Sequence, residues 1–271
     1  MDKKIVIAGC AQTIAPYIAS IFKNMYMITK LFKEYKIIIF ENNSTDDTHQ
    51  LLSHYQKKDS NCILLSEKKL PIPSRFHAHR VAYCRNKLLE RIHESFGEYD
   101  YMVMMDMDDV CASLLQIVHF KNIFKNSTWD AVSFNKSPYY DLWALRYTPF
   151  HHNFRNLSNN PKRYNYYRHC LEEDIAKRLK KKSMISVLSA FGGFAIYKIP
   201  KIKNCKYDAR NRDIFISRIY YAEDCEHVAF HHQMREKNDA RIFLSSSILF
   251  PSNVPNKVLP SSLMSRLISH K

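Results

Sequence analysis

Short apolar runs punctuate the first half of the chain at intervals long enough to hold helices. "KIVIAG" (4–9), "YKIIIFE" (35–41), "NCILLS" (61–66) and "YDYMVMMD" (99–106) are rich in β-branched, aromatic and other apolar residues, and their length is that of strands. Between the second and third, "NNSTDDTHQLLSHYQKK" (42–58) offers Ser44 or Thr45 as an N-cap with acids in the first turn. In "RVAYCRNKLLERI" (80–92), Val81, Leu88 and Ile92 form one apolar helical stripe, and Arg85 falls within it. Such alternation predicts βαβ units and an α/β fold with a mainly parallel central sheet. The second half is less regular. "WDAVSFN" (129–135) and "YYDLWALRY" (139–147) read as strands, and "NYYRHCLEEDIAKRLKKK" (165–182) reads as a surface helix. "SVLSAFGGFAIYK" (186–198) reads as a hairpin or bent strand around Gly192 and Gly193. "EDCEHVAFHHQMREK" (223–237) reads as a helix, and "ARIFLSSSILF" (240–250) as the last strand. No repeat and no Pro-, Gly- or Ser-rich linker divides the chain, so one domain over 1–250 and a polar tail over 251–271 are expected.

Composition narrows the function classes. A chain of 271 residues, 46% hydrophobic, can bury one substantial core. With only four glycines, at 9, 97, 192 and 193, it holds neither a phosphate-cradling P-loop nor a GxGxxG dinucleotide turn. Seven scattered cysteines without a C-x-x-C pair read as reduced thiols in a cytoplasmic chain. The start "MDKKIVIAGCAQTIA" imitates a signal peptide, but Gln12 interrupts its short apolar run and a first strand is the better reading. No apolar stretch reaches the roughly 18 residues of a membrane span. The net charge of +15 is scattered, with local runs only at "KNCK", "RLKKK" and "RNRD", so no specific nucleic-acid partner is expected. A solvated surface, weakly drawn to anionic membranes or phosphorylated substrates, explains the charge more simply.

In an open parallel sheet, ligands bind beyond the carboxyl ends of the strands, and there the acids gather. The fourth apolar run ends in Asp106, Asp108 and Asp109. Residues two apart in an extended chain point the same way, so Asp106 and Asp108 can offer paired carboxylates to Mg²⁺ or Mn²⁺. The alternative is that these acids cap a helix beginning near Ala112, a role that suits Asp109. A guanidinium in the apolar stripe at Arg85 requires an anionic partner, either a diphosphate or a structural carboxylate. Near the C-terminus, "AEDCEHVAFHH" packs Glu223, Asp224, Glu226, His227, His231 and His232 closely. Helical spacing would set His227 and His231 one turn apart with Asp224 nearby, a set able to supply a general base and a metal ligand. A solvated helix with ordinary surface histidines is the plainer alternative.

Together, "ENNSTDDT", "RN" at Arg85-Asn86, "DMDD", "YYDLWALR", "FGGFAIYK" and "CEHVAFH" resemble segments of nucleotide-sugar-dependent glycosyltransferases of the GT-A fold, in family order over roughly residues 4 to 250. The likeness is to a bacterial and viral group and, more loosely, to fungal capsule mannosyltransferases; a viral coding origin would place the chain in a host cytoplasm. The resemblance implies a GT-A-like, Rossmann-type sandwich that moves a sugar from a nucleoside-diphosphate-sugar donor to a hydroxyl of a glycan, lipid or protein acceptor. It implies that Ala8, Gly9 and Glu41 border the nucleoside, Arg85 the diphosphate, and Asp106 with Asp108 a Mn²⁺ or Mg²⁺. It makes His231 a further metal or phosphate contact and Asp224 or Glu226 the base of an inverting reaction. It also implies that Trp143 and Arg146 line the sugar pocket, although a tryptophan in an aromatic-rich strand is more often core. Two other readings stand beside this one: a GT-A-like nucleotidyltransferase, disfavoured by the single glycine of "GCAQTIAPY", and a basic nucleic-acid or surface-binding module without catalysis.

Overall fold

The computed structural model describes residues 1–125, 128–136, 139–151, 160–210 and 223–252. The tail beyond residue 252 and most of the "RNRD" run lie outside the described residues. Eight strands form one sheet: β1 (Lys4–Ala11), β2 (Glu34–Asn42), β3 (Cys62–Glu67), β4 (Tyr101–Asp106), β5 (Ala131–Asn135), β6 (Met184–Ser186), β7 (Phe194–Lys198) and β8 (Ile242–Ile248). Their order is β3-β2-β1-β4-β7-β5-β8-β6. The pairs β3-β2, β2-β1, β1-β4 and β5-β8 are parallel, whereas β7 runs against β4 and β5, and β6 against β8. The sheet is therefore mainly parallel, as the alternation predicts.

The apolar runs are continuous because both faces of the sheet are covered. In β1, Val6 and Ala8 enter one core layer while Ile5 and Ile7 enter the other, and Met102 and Met104 separate from Val103 and Met105 in the same way. Helix α3 (His77–Phe96) and helix α6 (Glu226–Asn238) cover the first face through Leu88, Leu89, Ile92, Phe230 and Met234. Helix α1 (Ile18–Thr29) and the short α4 (Ile117–Asn122) cover the second through Ile21, Phe22, Met25 and Phe120. Leu88 and Ile92 are fully buried, each contributing about 1.5–3 kcal/mol relative to an exposed position. The remaining helices, α2 (Thr48–Lys58) and α5 (Pro161–Lys181), each add two apolar anchors, Leu51 with Leu52 and Leu171 with Ile175.

Four local expectations are corrected. Ser44 and Thr45 do not cap α2, which begins at Thr48; Asp46 accepts the Thr48 N–H, while Ser44 and Thr45 bond Thr13 in the turn after β1. Residues 139–147 form no strand: Asp141 Oδ1 accepts the Ala144 N–H at 3.1 Å and turns the chain over 142–144, and only isolated bridges follow, Arg146 with Ser189 and Tyr147 with Phe150. The acids after β4 cap no helix near Ala112; Asp108 caps a short 3₁₀ turn, Asp109–Cys111, by accepting the Val110 N–H. Helix α6 starts only at Glu226, since Cys225 is extended, and Asp224 therefore lies off the helix.

Candidate functional site

A cleft of about 370 Å³ opens at the carboxyl ends of β1, β2 and β4, within the range of small-ligand sites. β4 delivers Asp106 to its floor, where the Asp106 N–H donates to Gly193 O at 2.8 Å. Extended geometry brings Asp108 to the same cleft, while Met107 between them packs against the Cα of Gly9, where a Cβ would lie 2.6 Å from Met107 Cγ. The double glycine preceding β7 has φ of +65° and +80°, a left-handed backbone that lets the chain press on Asp106. Behind the acids, Lys136 Nζ donates to Val110 O at 3.0 Å.

Arg85 ties this floor together. Its Nη2 donates to Asp106 Oδ1 at 2.9 Å, and its Nη1 pairs with Glu226 Oε1 and faces His227 Nε2. The guanidinium lies over the Phe191 ring, 4.7 Å from the centroid, and that ring in turn stacks on His227. Both terminal nitrogens thus engage carboxylates, and only Nε is left without a protein partner. Of the two roles the sequence leaves open for Arg85, the ion pairs realise the carboxylate one, and its Nε is buried without a protein partner.

Several expected residues stand elsewhere. Ala8 and Gly9 do not line the cleft: β1 runs on to Ala11, so Cys10, Ala11 and Gln12 take that place. Glu41 is buried and spent locally, accepting from Ser44 N, Ser66 Oγ and His49 Nδ1 at 2.8–3.1 Å, and its neighbour Asn42 faces the cleft. Burial alone would raise the Glu41 carboxyl, yet these hydrogen bonds hold it below its ordinary range. Trp143 lines the cleft, but Arg146 stands behind it, buried, donating to Trp143 O and Leu145 O and pairing with Asp224 Oδ1 at 2.8 Å. Glu226 faces the cleft and Asp224 does not. His231 is fully buried between Ser189 Oγ and Tyr197 OH, at 2.9 and 3.1 Å, one turn from His227 and away from the acids. Glu223 accepts the His79 N–H in the first turn of α3, a helix-capping role.

Asp141 and Arg80 also line the cleft and escaped the sequence reading. The only signal for Asp141 is an acid inside an aromatic run; it accepts from the N–H groups of Ala144 and Gly192, which aim it inward. Burial pushes Asp106 well above the usual carboxylate range despite Arg85, and the nearby carboxylates of Asp108, Asp141 and Glu226 push the same way. Asp108 and Asp141 are likewise raised, first by burial. Four lining carboxylates, Asp106, Asp108, Asp141 and Glu226, thus face two lining guanidiniums, Arg80 and Arg85, with Lys136 behind them, an excess of negative charge that a divalent cation would offset. The carboxylate oxygens suit Mg²⁺ or Mn²⁺, ions that retain waters and complete their shells with phosphate oxygens. No group of three or more His, Cys, Asp or Glu side chains placed to hold a metal ion occurs among the described residues. No described helix is long and apolar enough to cross a membrane.

The sequence matches no protein-family model and no curated protein. Among solved structures, the fold is similar to that of the mannosyltransferase PcManGT from Pyrobaculum calidifontis in complex with GDP-Man and Mn²⁺, with a TM-score of 0.50 and 15% identity over 98% of this chain and 61% of that one. It is also similar to glucosyl-3-phosphoglycerate synthase from Mycobacterium tuberculosis in complex with Mg²⁺ and UDP, with a TM-score of 0.50 and 12% identity over 97% of this chain and 74% of the other. The chain spans less than two thirds of the mannosyltransferase's length. The likeness is one of fold, and the GT-A-like α/β sandwich expected from the sequence is the fold observed.

Proposed function

We propose that this chain is a metal-dependent glycosyltransferase whose catalytic domain spans 1–250, with 251–271 as a tail, and which moves a sugar, most simply a hexose, from a nucleoside-diphosphate sugar to an acceptor hydroxyl of a glycan, lipid or protein. The observation that carries the reading is the excess of carboxylate over guanidinium at the carboxyl edge of the sheet, in a fold also found in a mannosyltransferase in complex with GDP-Man and Mn²⁺ and in a glucosyl-3-phosphoglycerate synthase in complex with Mg²⁺ and UDP. Asp106 and Asp108 would hold the Mn²⁺ or Mg²⁺, which when bound supplies Lewis-acid neutralisation of the diphosphate leaving group. Arg85 keeps Asp106 and Glu226 in place, and its guanidinium, with that of Arg80, adds fixed positive charge to the cleft that would hold the diphosphate. Trp143 offers an apolar wall to the sugar. Of the two candidate bases, Glu226 is the one at the cleft. It would take the proton of the acceptor hydroxyl as that oxygen bonds to the anomeric carbon and the bond to the diphosphate oxygen breaks. His231, sealed between Ser189 and Tyr197, keeps a packing role in this scheme.

The test is hydrolysis and transfer across a panel of nucleotide sugars with and without Mn²⁺. One donor is expected to turn over only with the metal. Asp106→Asn and Asp108→Asn should each abolish that turnover; Asp108→Asn should unfold close to wild type, since an Asn oxygen there can still accept the Val110 N–H, whereas Asp106→Asn removes a charged partner of the buried Arg85 and should be less stable, its fold checked by circular dichroism. Glu226→Gln should lower transfer about 10²–10⁴-fold with little change in donor affinity. Metal-independent turnover, or wild-type activity in both Asp variants, would overturn the reading.

A further inference from the structure

Behind the cleft wall lies an ion pair that the chemistry above leaves unused. Arg146 and Asp224, 78 positions apart in the chain, meet through Arg146 Nη2 and Asp224 Oδ1 at 2.8 Å. Arg146 is 4% exposed, and neither residue lines the cleft. Each holds a wall of it instead. Arg146 Nη1 donates to Trp143 O at 2.8 Å and to Leu145 O at 2.9 Å, which fastens the turn that presents Asp141 and Trp143. Asp224 Oδ1 also accepts the Cys225 N–H at 2.7 Å, one residue before Glu226 opens α6, and the Asp224 N–H donates to Ala209 O at 2.9 Å. A second tie runs beside the first: the Arg146 N–H donates to Ser189 O at 2.9 Å, and Ser189 Oγ bonds His231 Nδ1 within α6 at 2.9 Å.

We propose that Arg146 and Asp224 are positioning residues: their ion pair sets the separation between the Trp143 wall and the Glu226 wall, so that both address the same sugar. The statement rests on the reading of the cleft as a glycosyl-transfer site. Stability alone gives no reason for the pair. An ion pair this deeply buried contributes little net stability, and apolar side chains of similar volume commonly replace one without loss. What an apolar pair lacks is direction. The guanidinium is a rigid planar fork, so its bonds to Trp143 O, Leu145 O and Asp224 Oδ1 fix those three groups relative to one another. A lysine carries a single ammonium on a flexible stem and fixes no such set. The precision matters because a misplacement of about 1 Å near the reacting atoms can cost about 10²-fold in rate. Arg85 already ties Glu226 to Asp106. The Arg146 pair adds the tie to Trp143, and the two together set Glu226 between the acids and the sugar wall.

The experiment compares the full-length chain with Arg146→Lys, Asp224→Asn and the apolar pair Arg146→Met/Asp224→Leu. Circular dichroism and urea unfolding report the fold of each. The chain has two tryptophans and Trp129 is 1% exposed, so quenching of the emission by acrylamide reports Trp143. Transfer kinetics with Mn²⁺ and the donor found in the panel above are measured on the same samples. Arg146→Lys keeps a positive charge beside Asp224 and is expected to stay folded. Every folded variant is expected to show stronger quenching of Trp143, kcat lower by about 10²-fold, and a donor KM within about threefold of wild type. The apolar pair is expected to match the wild-type urea midpoint, which separates positioning from stability. Wild-type kcat in the folded apolar pair, wild-type quenching in the folded variants, or a loss of turnover that follows only the unfolded fraction would each overturn the proposal. If the wild-type chain turns over no donor of the panel, the glycosyl-transfer reading fails instead. Quenching then decides whether the pair positions the wall: stronger quenching in Arg146→Lys and Asp224→Asn sustains it, and unchanged quenching refutes it.

Discussion

Arg85 shows how one residue sets the character of the cleft. The residue is 6% exposed, and its guanidinium is shared between Asp106 from β4 and Glu226 from the start of α6, elements far apart in sequence. Removing one partner from a buried charge pair costs more than the pair itself contributes, because the remaining charge stays desolvated. Arg85→Met should therefore destabilise the fold by about 3–5 kcal/mol, read from urea unfolding, whereas Arg85→Lys keeps the charge but loses the two-ended reach and should fall between. A loss in Arg85→Met no larger than at an exposed arginine would contradict the network. The sequence exposes the need for an anionic partner, since Arg85 interrupts an apolar stripe. It does not expose which anion, because Glu226 is 141 residues away and helical periodicity carries no information about contacts at that separation.

At the scale of elements, the strands that were legible are those buried on both faces: β1, β2 and β4 are apolar runs whose alternation feeds opposite layers. The elements that were not legible turn on single side-chain to backbone bonds. Asp141 converts an aromatic run into a turn through the Ala144 N–H, and Asp108, not Asp109, caps the turn after β4. The double glycine was legible as a bend, but its purpose depends on β7 entering the sheet between β4 and β5, which no local pattern announces. At Gly193, φ is +80°, and a Cβ would stand 2.5 Å from Val110 Cγ1 and 3.4 Å from Asp106 Oδ2. Gly193→Ala should cost more than about 1 kcal/mol and also raise the metal concentration that turnover requires, by displacing Asp106. Gly97→Ala is the control: Gly97 ends α3 with a right-handed φ of −60°, so calorimetry should place it within about 1 kcal/mol of wild type. Equal effects at both glycines would remove the argument from backbone geometry.

For the molecule as a whole, the basic surface conceals a polar interior that opposes protonation, and acid stability is where this becomes measurable. His231 is fully buried, bonded to Ser189 Oγ and Tyr197 OH, with Arg235 on its own helix and His227 one turn away. Burial first, and Arg235 second, lower it from 6.5 to about 3. His227 is lowered too, by burial and then by Arg85 and His231. The unfolded chain binds these protons near the ordinary value, whereas the folded chain refuses them until far lower pH. The contribution is therefore complete above pH 6.5 and is lost progressively as pH falls toward 3. Each such histidine steepens the decline by up to about 1.4 kcal/mol per pH unit. The raised carboxyls of Asp106, Asp108 and Asp141 act in the opposite sense, because the folded state there takes up protons before the unfolded one. A comparison that leaves them in place isolates the imidazole. His231→Gln preserves one donor and one acceptor for Ser189 and Tyr197 but has no proton to refuse. Its urea midpoint should lie below wild type at pH 7 and approach or cross it by pH 4, with a shallower acid slope. Parallel curves for the two proteins across that range would mean that His231 titrates normally and that the buried cluster linking α6 to β7 is not as described.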